Sequence, residues 1–139
     1  MSLFQSEYEL KIPFHDLDPM DIVWHGNYVK YMEQARCDMF DKIGYTYYDM
    51  KNDDRAYPVA KMKTKFIRPL FFNQEVIVRS SLEEIEPTIR IKYKIFEKGT
   101  EKKVFEGETT QIGVLISTRE TVYKASAVLK NLLGVKDEE

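Results

Sequence analysis

The chain has 139 residues and a formal net charge of −2, and 43% of its residues are hydrophobic. This length fits one domain over residues 1–139, and the near-balanced charge gives no overall field that would attract nucleic acid or an anionic membrane. No apolar run approaches the roughly 20 residues that cross a bilayer. The N-terminus lacks a secretory pattern, and one cysteine excludes an intrachain disulfide. We therefore expect a cytoplasmic globular protein with no nucleic-acid or membrane partner.

The first predicted elements are a strand and a long helix. Apolar and polar residues alternate over residues 8–14, which is typical of a strand with one buried face. Apolar side chains then recur every three or four residues over 27–43, which predicts a mostly buried helix of about five turns. Gly26 or Asn27 can cap its start. Gly44 is placed to end it in a left-handed conformation.

The rest of the chain favours strands. After a polar loop centred on residues 51–55, alternation predicts strands over 60–66, 76–87, 89–95 and 104–117, and then a short helix over 125–133. Short connections make neighbouring strands antiparallel, so the fold class is α+β. One helix covers only one face of such a sheet, and we therefore expect at least a dimer.

Candidate chemistry is concentrated just before the long helix, in FHDLDPMDIVWHGNY (residues 14–28). The first backbone N–H groups of a helix lack intrahelical partners and carry partial positive charge, so they can stabilise a developing oxyanion. A carboxylate on the preceding loop could face the same point, and Asp16, Asp18 and Asp21 are the candidates. A carboxylate beside oriented N–H donors suits attack on a carbonyl group.

Three other interpretations stay open. Aspartates are common before helices because they favour turns and caps. A metal site built on His15, His25 and the aspartates is a second possibility, although the spacing matches no standard metal motif. His25 alone could be a cap or packing residue. Cys37, in the middle of the helix, is predicted to be a packing residue.

FHDLDPMDIVWHGNY, followed by a helix that ends in glycine, resembles the hot-dog-fold acyl-CoA thioesterases of the 4-hydroxybenzoyl-CoA thioesterase type. A second segment, FIRPLFFNQEVIV, looks like the R-P motif and following strand of that family. The resemblance implies an antiparallel five-stranded sheet wrapped around one long central helix. It also implies a homodimer or homotetramer, an acyl-CoA or other acyl thioester substrate, and no cofactor.

The resemblance also assigns roles to residues. It makes Asp18 the catalytic base or nucleophile, and it places the carbonyl-polarising donor near the backbone N–H of His25, whose side chain also belongs to the site. No metal is implied. The expected substrate-binding residues are Trp24, Gly26, Asn27 and Tyr28.

Asp21 departs from the family pattern, which has glycine at this position. Aspartate tolerates left-handed backbone better than most residues, so the loop can survive, although a second carboxylate near Asp18 could alter its acidity. Two sets of basic residues could meet coenzyme A phosphates but are favoured as solvated sheet faces. They are Lys61, Lys63 and Lys65, and Arg90, Lys92 and Lys94.

The sequence thus predicts an acyl-CoA thioesterase, which hydrolyses a thioester to a carboxylic acid and free coenzyme A. A thiol has a pKa of about 8.5 and leaves without much acid catalysis, so one carboxylate and one oxyanion donor suffice. The alternatives are an acyl-carrier-protein thioesterase, a non-catalytic protein that binds acyl thioesters, and a metal-dependent hydrolase.

Overall fold

A five-stranded antiparallel sheet and one long helix organise the chain. The computed structural model describes residues 2–136. In chain order, the elements are β1 (Phe4–Lys11), a 3-10 turn (Phe14–Asp16), α1 (Asn27–Ile43), α2 (Tyr47–Asn52), β2 (Arg55–Ala56), β3 (Val59–Phe66), β4 (Glu75–Glu84), β5 (Ile89–Glu97), β6 (Lys103–Gln111), β7 (Gly113–Leu115), β8 (Thr121–Val122) and α3 (Ala127–Leu133).

The main sheet has the strand order β1-β4-β5-β6-β3, and every neighbouring pair is antiparallel. In β4 and β5 every second side chain is buried, so one face of the sheet points to the core and the other to solvent. The predicted α+β class and antiparallel sheet are therefore confirmed.

Helix α1 packs its apolar stripe on the inner face of the sheet. Met32 and Ala35 are fully buried, as is Met39 one turn further on. Gly107 on β6 allows the close approach, because a Cβ at this position would lie 2.5 Å from the Met32 sulfur. Gly44 ends the helix at φ 94°, the predicted left-handed cap.

The structure corrects three of the predicted element boundaries. The first strand spans Phe4–Lys11, so it begins four residues and ends three residues earlier than predicted, because Pro13 cannot donate to the ladder and the chain then enters the 3-10 turn. The predicted loop around residues 51–55 instead begins with α2, which Thr46 caps. The predicted strand over 104–117 breaks at Ile112 into β6 and β7.

A second, small sheet lies beside the first and was not predicted. Its order is β2-β7-β8, and two of its strands have only two residues each, too short for a pattern of alternation. Strand β3 ends the main sheet on one side, and all eight of its residues are exposed. No helix in residues 2–136 is long and apolar enough to span a membrane.

Candidate active site

A tight hairpin positions Asp18 in front of helix α1. Leu17 and Val23 form a β-bridge, and inside it the Asp18 N–H donates to the Ile22 carbonyl oxygen at 2.8 Å. The Asp21 N–H donates to the Asp18 carbonyl oxygen at 2.9 Å, which closes a four-residue turn. A three-residue hairpin loop of this kind needs a left-handed residue at its end.

Asp21 is that left-handed residue, with φ 63°. The hairpin geometry therefore gives a physical reason for the glycine expected at this position, and aspartate is one of the side chains that tolerate the conformation. The loop therefore keeps its turn with aspartate in place of the expected glycine. The Asp21 side chain is exposed.

This geometry predicts how position 21 responds to substitution. Asp21→Gly should change the free energy of unfolding by less than about 1 kcal/mol, since glycine adopts positive φ without strain but has a more flexible unfolded state. Asp21→Val should lose about 1–3 kcal/mol, because a β-branched residue is strained there. Urea denaturation of both variants measures the difference. Equal stability of Asp21→Val and the wild type would contradict the turn assignment.

The Asp18 carboxylate is half-buried and uses one oxygen in the turn. Its Oδ1 accepts a hydrogen bond from the Met20 N–H at 2.8 Å. Oδ2 has no hydrogen-bond donor within the described residues. Asp18 is thus both a turn residue, as the simpler interpretation held, and a carboxylate with one oxygen available to a substrate.

Asp16 has a different environment and is a structural residue. It is 2% exposed, and its carboxylate accepts hydrogen bonds from Lys30 Nζ at 2.5 Å and from the Tyr31 hydroxyl at 2.7 Å. Burial raises the pKa of this carboxyl, but the hydrogen bonds from Lys30 and Tyr31 outweigh it and the pKa lies below its ordinary value. Asp16 therefore anchors the loop to α1 as a carboxylate.

Asp18 and His25 line one open groove of about 320 Å³. Tyr28 is buried beneath it and stacks on Phe105, with ring centroids 4.9 Å apart. Burial raises the pKa of the Tyr28 hydroxyl, which therefore stays neutral. The other residues of the groove wall are Ile22, Val23, Phe66, Ile67, Arg68 and Pro69.

The start of α1 supplies unpaired donors at this groove. The backbone N–H groups of His25 and Gly26 have no acceptor within residues 2–136, whereas the Asn27 N–H donates to the Trp24 carbonyl oxygen. The exposed His25 ring lies 5.1 Å from the Trp24 ring and 6.4 Å from the Phe66 ring, measured between centroids. The groove wall therefore includes Asp18, which has a free carboxylate oxygen, and His25, which has a free backbone N–H.

The remaining predicted substrate-binding residues stand outside the groove wall. Trp24 is 51% exposed, and its ring lies over Gly26, where an added Cβ would be 2.3 Å from it. The Asn27 side-chain amide donates to the Asp16 carbonyl oxygen at 2.8 Å and fixes the loop. Of the six predicted residues, Asp18, His25 and Tyr28 line the groove, while Trp24, Gly26 and Asn27 do not.

Arg68 is a groove residue that was not predicted from the sequence. It follows β3 in the R-P motif, and its backbone N–H donates to the Val104 carbonyl oxygen. No carboxylate within residues 2–136 lies in salt-bridge contact with its guanidinium, so this cation is available to an anionic ligand. The R-P pair was a usable signal, because it places a cation directly after an edge strand.

No group of three or more histidine, cysteine, aspartate or glutamate side chains in the described residues is arranged to hold a metal ion. His15 lies near Asp16, with Nε2 3.7 Å from Oδ1, but the second oxygen of that carboxylate is occupied by Tyr31.

Residues 12–132 match the family model of the thioesterase-like superfamily. The chain belongs to the thioesterase-like superfamily. It is 27% identical over 75 residues to the acyl-CoA thioesterase YbgC of Helicobacter pylori, a match that covers 54% of each chain. The chain spans about half the length of several curated relatives that it matches.

Solved structures show the same fold. A DHNA-CoA thioesterase from Staphylococcus aureus is 26% identical and superposes with a TM-score of 0.78, with 86% of this chain and 80% of that chain covered. A hypothetical protein from Aquifex aeolicus is 25% identical with a TM-score of 0.82, with 91% and 98% covered. The hot-dog fold expected from the resemblance is therefore confirmed for this superfamily member.

Proposed function

We propose that this protein is an acyl-CoA thioesterase, which hydrolyses an acyl thioester to a carboxylic acid and free coenzyme A. One observation carries the proposal: in a chain of the thioesterase-like superfamily, Asp18 offers a free carboxylate oxygen in a groove whose wall also includes His25, a residue with an unpaired backbone N–H. These are the two groups that thioester hydrolysis requires.

The proposed chemistry follows from these groups. The thioester carbonyl oxygen accepts from the backbone N–H groups at the start of α1, which stabilise the oxyanion as it forms. Asp18 Oδ2 takes a proton from the attacking water, or attacks the carbonyl carbon itself to give a mixed anhydride that water then opens. The carbon–sulfur bond breaks and the thiolate leaves, which its low pKa allows.

Two alternatives retain the same groove. An acyl-carrier-protein thioesterase would act on the same thioester with a different carrier. A non-catalytic binding protein would need an impaired site, but the left-handed Asp21 preserves the hairpin that holds Asp18. A thiol-release assay with a panel of acyl-CoAs and one acyl-carrier protein separates these functions. Absence of turnover on every thioester would refute the proposed thioesterase activity.

We further infer that the protein forms a dimer through β3. This strand has a free edge, and its exposed inner face carries Met62 and Phe66, which are 36% and 50% exposed in one chain. A free strand edge that bears apolar side chains pairs readily with another strand. A second copy would extend the sheet by antiparallel pairing of the two β3 strands.

The lysines on the outer face of β3 do not prevent this pairing. Lys63 and Lys65 lie opposite Glu108 and Glu106 of β6, which partly compensate their charge. On β5, Arg90 is hydrogen-bonded to Glu84 at 2.6 Å. These two basic sets lie among acidic partners, and we interpret them as solvated sheet faces.

Sizing in solution tests the dimer. We expect the wild type to elute at about twice the mass of one chain, and Met62→Asp to elute as a monomer, because it places a charge on the paired inner face. The matched control is Tyr48→Asp, which changes a 76% exposed aromatic residue on α2 and should stay dimeric. A wild type that elutes as a monomer would contradict this assembly.

A further inference from the structure

A second cavity lies beside helices α1 and α2 and has no role in the chemistry above. Its volume is about 680 Å³, within the range of small-molecule sites. Most of the residues in its wall are apolar or aromatic. They are Cys37 and Phe40 of α1, Tyr47 and Met50 of α2, Ala56, Tyr57 and Pro58 at and after β2, and Val114 and Ile116 in and just after β7.

The polar residues of the wall are either paired within the protein or exposed to solvent. Four of them have partners of their own, namely Arg36, Thr46, Arg55 and Gln111. Gln111 Nε2, for example, donates to the Tyr57 carbonyl oxygen at 2.7 Å. The remaining two, Asp41 and Lys51, are exposed. An alkyl chain requires no hydrogen bond and gains free energy when it leaves water, so it suits this wall.

The cavity and the groove both border α1 and lie at opposite ends of β3. Pro58 of the cavity directly precedes β3, whereas Phe66 of the groove is its last residue. On α1, Tyr28 of the groove and Phe40 of the cavity are twelve residues apart, which is about 18 Å along a helix. One chain therefore keeps the two sites apart.

The proposed β3 dimer changes this separation. When two antiparallel β3 strands pair about their centres, at Met62 and Lys63, Pro58 of one copy lies beside the partner's Ile67. Opposed residues in antiparallel strands are about 4.5–5.5 Å apart between Cα atoms. The cavity of each copy then continues the groove of its partner. A substrate whose thioester lies at Asp18 of one copy can extend its tail into the cavity of the other.

We propose that this cavity receives the alkyl tail of the acyl group, and that each complete site combines Asp18 of one copy with the cavity of its partner. The substrate class is then a straight-chain aliphatic acyl-CoA that is long enough to reach the cavity. The inference rests on the proposed thioesterase activity and on the β3 dimer. It makes Ala56, an exposed residue of the cavity wall, a position that determines the preferred chain length.

Chain-length profiles test the alkyl cavity. Over straight-chain acyl-CoAs from acetyl to hexadecanoyl, we expect kcat/KM of the wild type to rise by roughly 10-fold for each two carbons that enter the cavity, the effect of burying two methylene groups. Ala56→Trp fills part of the cavity and should lower kcat/KM for decanoyl-CoA by roughly 10-fold or more relative to acetyl-CoA. The matched control is Asn52→Trp, at an exposed position of α2 outside the wall, which should keep the wild-type profile.

A mixed dimer tests the shared site. Asp18→Asn and Ala56→Trp are placed on separate chains with different tags, and the mixed dimer is purified after co-expression. One of its two sites then combines an intact Asp18 with an intact cavity, so it should hydrolyse decanoyl-CoA at about half the wild-type rate per dimer. A rate near half that of the Ala56→Trp homodimer would show that both parts come from one chain and would overturn the shared site.

A binding readout keeps the test independent of turnover. Cys37 is the chain's single cysteine, is exposed and lines the cavity, so its alkylation by iodoacetamide reports occupancy. S-decyl-CoA, a thioether that cannot be hydrolysed, should slow alkylation of the wild type, whereas S-methyl-CoA should not. Equal alkylation with both ligands, together with hydrolysis that does not depend on chain length, would overturn the inference but leave the thioesterase. Slower alkylation with S-decyl-CoA, without hydrolysis of any thioester, would refute the thioesterase alone.

Discussion

Asp18→Asn is expected to reduce thioester hydrolysis by roughly 100- to 10,000-fold, the range for removal of a general base. Asparagine keeps an Oδ1 that can accept from the Met20 N–H, so the turn is preserved. It replaces Oδ2 with an amide nitrogen, which can neither take a proton from water nor attack the carbonyl carbon. The change therefore removes the chemistry while it leaves the hairpin intact.

Thiol release from acyl-CoA measures this loss, and urea denaturation checks that stability is unchanged. The matched control is Asp21→Asn, which removes an exposed carboxylate from the same hairpin and keeps a side chain that tolerates φ 63°. We expect this control to retain activity. Full activity of Asp18→Asn would show that another group serves as base or nucleophile.

Asp16→Ala is expected to have the largest effect on stability, a loss of about 2–4 kcal/mol in the free energy of unfolding. Removal of this carboxylate leaves the fully buried Tyr31 hydroxyl without its acceptor and separates Lys30 from its partner. Urea denaturation measures the loss. In a double-mutant cycle, Tyr31→Phe should make Asp16→Ala less costly, and a total loss below about 1 kcal/mol would contradict the anchoring role.

The stability difference between wild type and Asp16→Ala should depend on pH. The pKa of Asp16 lies below its ordinary value of 3.8 in the folded protein. A carboxyl of this kind stabilises the fold fully above pH 3.8, and the contribution is lost as the pH falls through the folded-state pKa. The unfolding free energies of the wild type and of Asp16→Ala should therefore converge in acid. A difference between them that does not change with pH would mean that Asp16 stabilises the fold through packing alone.

The sequence carried strong signals for the long elements. Helix α1 and its Gly44 end were predictable, because seventeen residues sustain one apolar stripe and glycine suits the left-handed cap. Strand β5 alternates without interruption between Ile89 and Ile95. Long periodic segments average out local exceptions, which is why they were predicted correctly.

Short elements and side-chain environments were harder to predict from the sequence. Helix α2 has six residues and no buried side chain, so it lacks an apolar stripe, although its Thr46 and Asp49 capping pair was a usable signal. Cys37 was predicted to be a packing residue, which is wrong. It is exposed because it lies on the side of α1 that faces away from the sheet and borders a cavity.

The location of the candidate site was predictable from the sequence. The separate roles of its residues were harder to predict. Spacing alone could not separate Asp16 from Asp18, because the difference arises from Lys30 and Tyr31, which lie fourteen and fifteen residues further along the chain. Likewise, Arg68 reaches the groove only because β3 ends beside it. Such tertiary neighbours leave no local pattern in the sequence.

The position of Trp24 has a practical consequence for anyone who works with this protein. It is the chain's single tryptophan, and its ring lies 5.1 Å from the ring of His25, a residue of the groove wall. Tryptophan fluorescence therefore comes from this one side chain, which is about half exposed to solvent. The intrinsic fluorescence of Trp24 can therefore be measured during a ligand titration to follow occupancy of the groove, without an added dye or label.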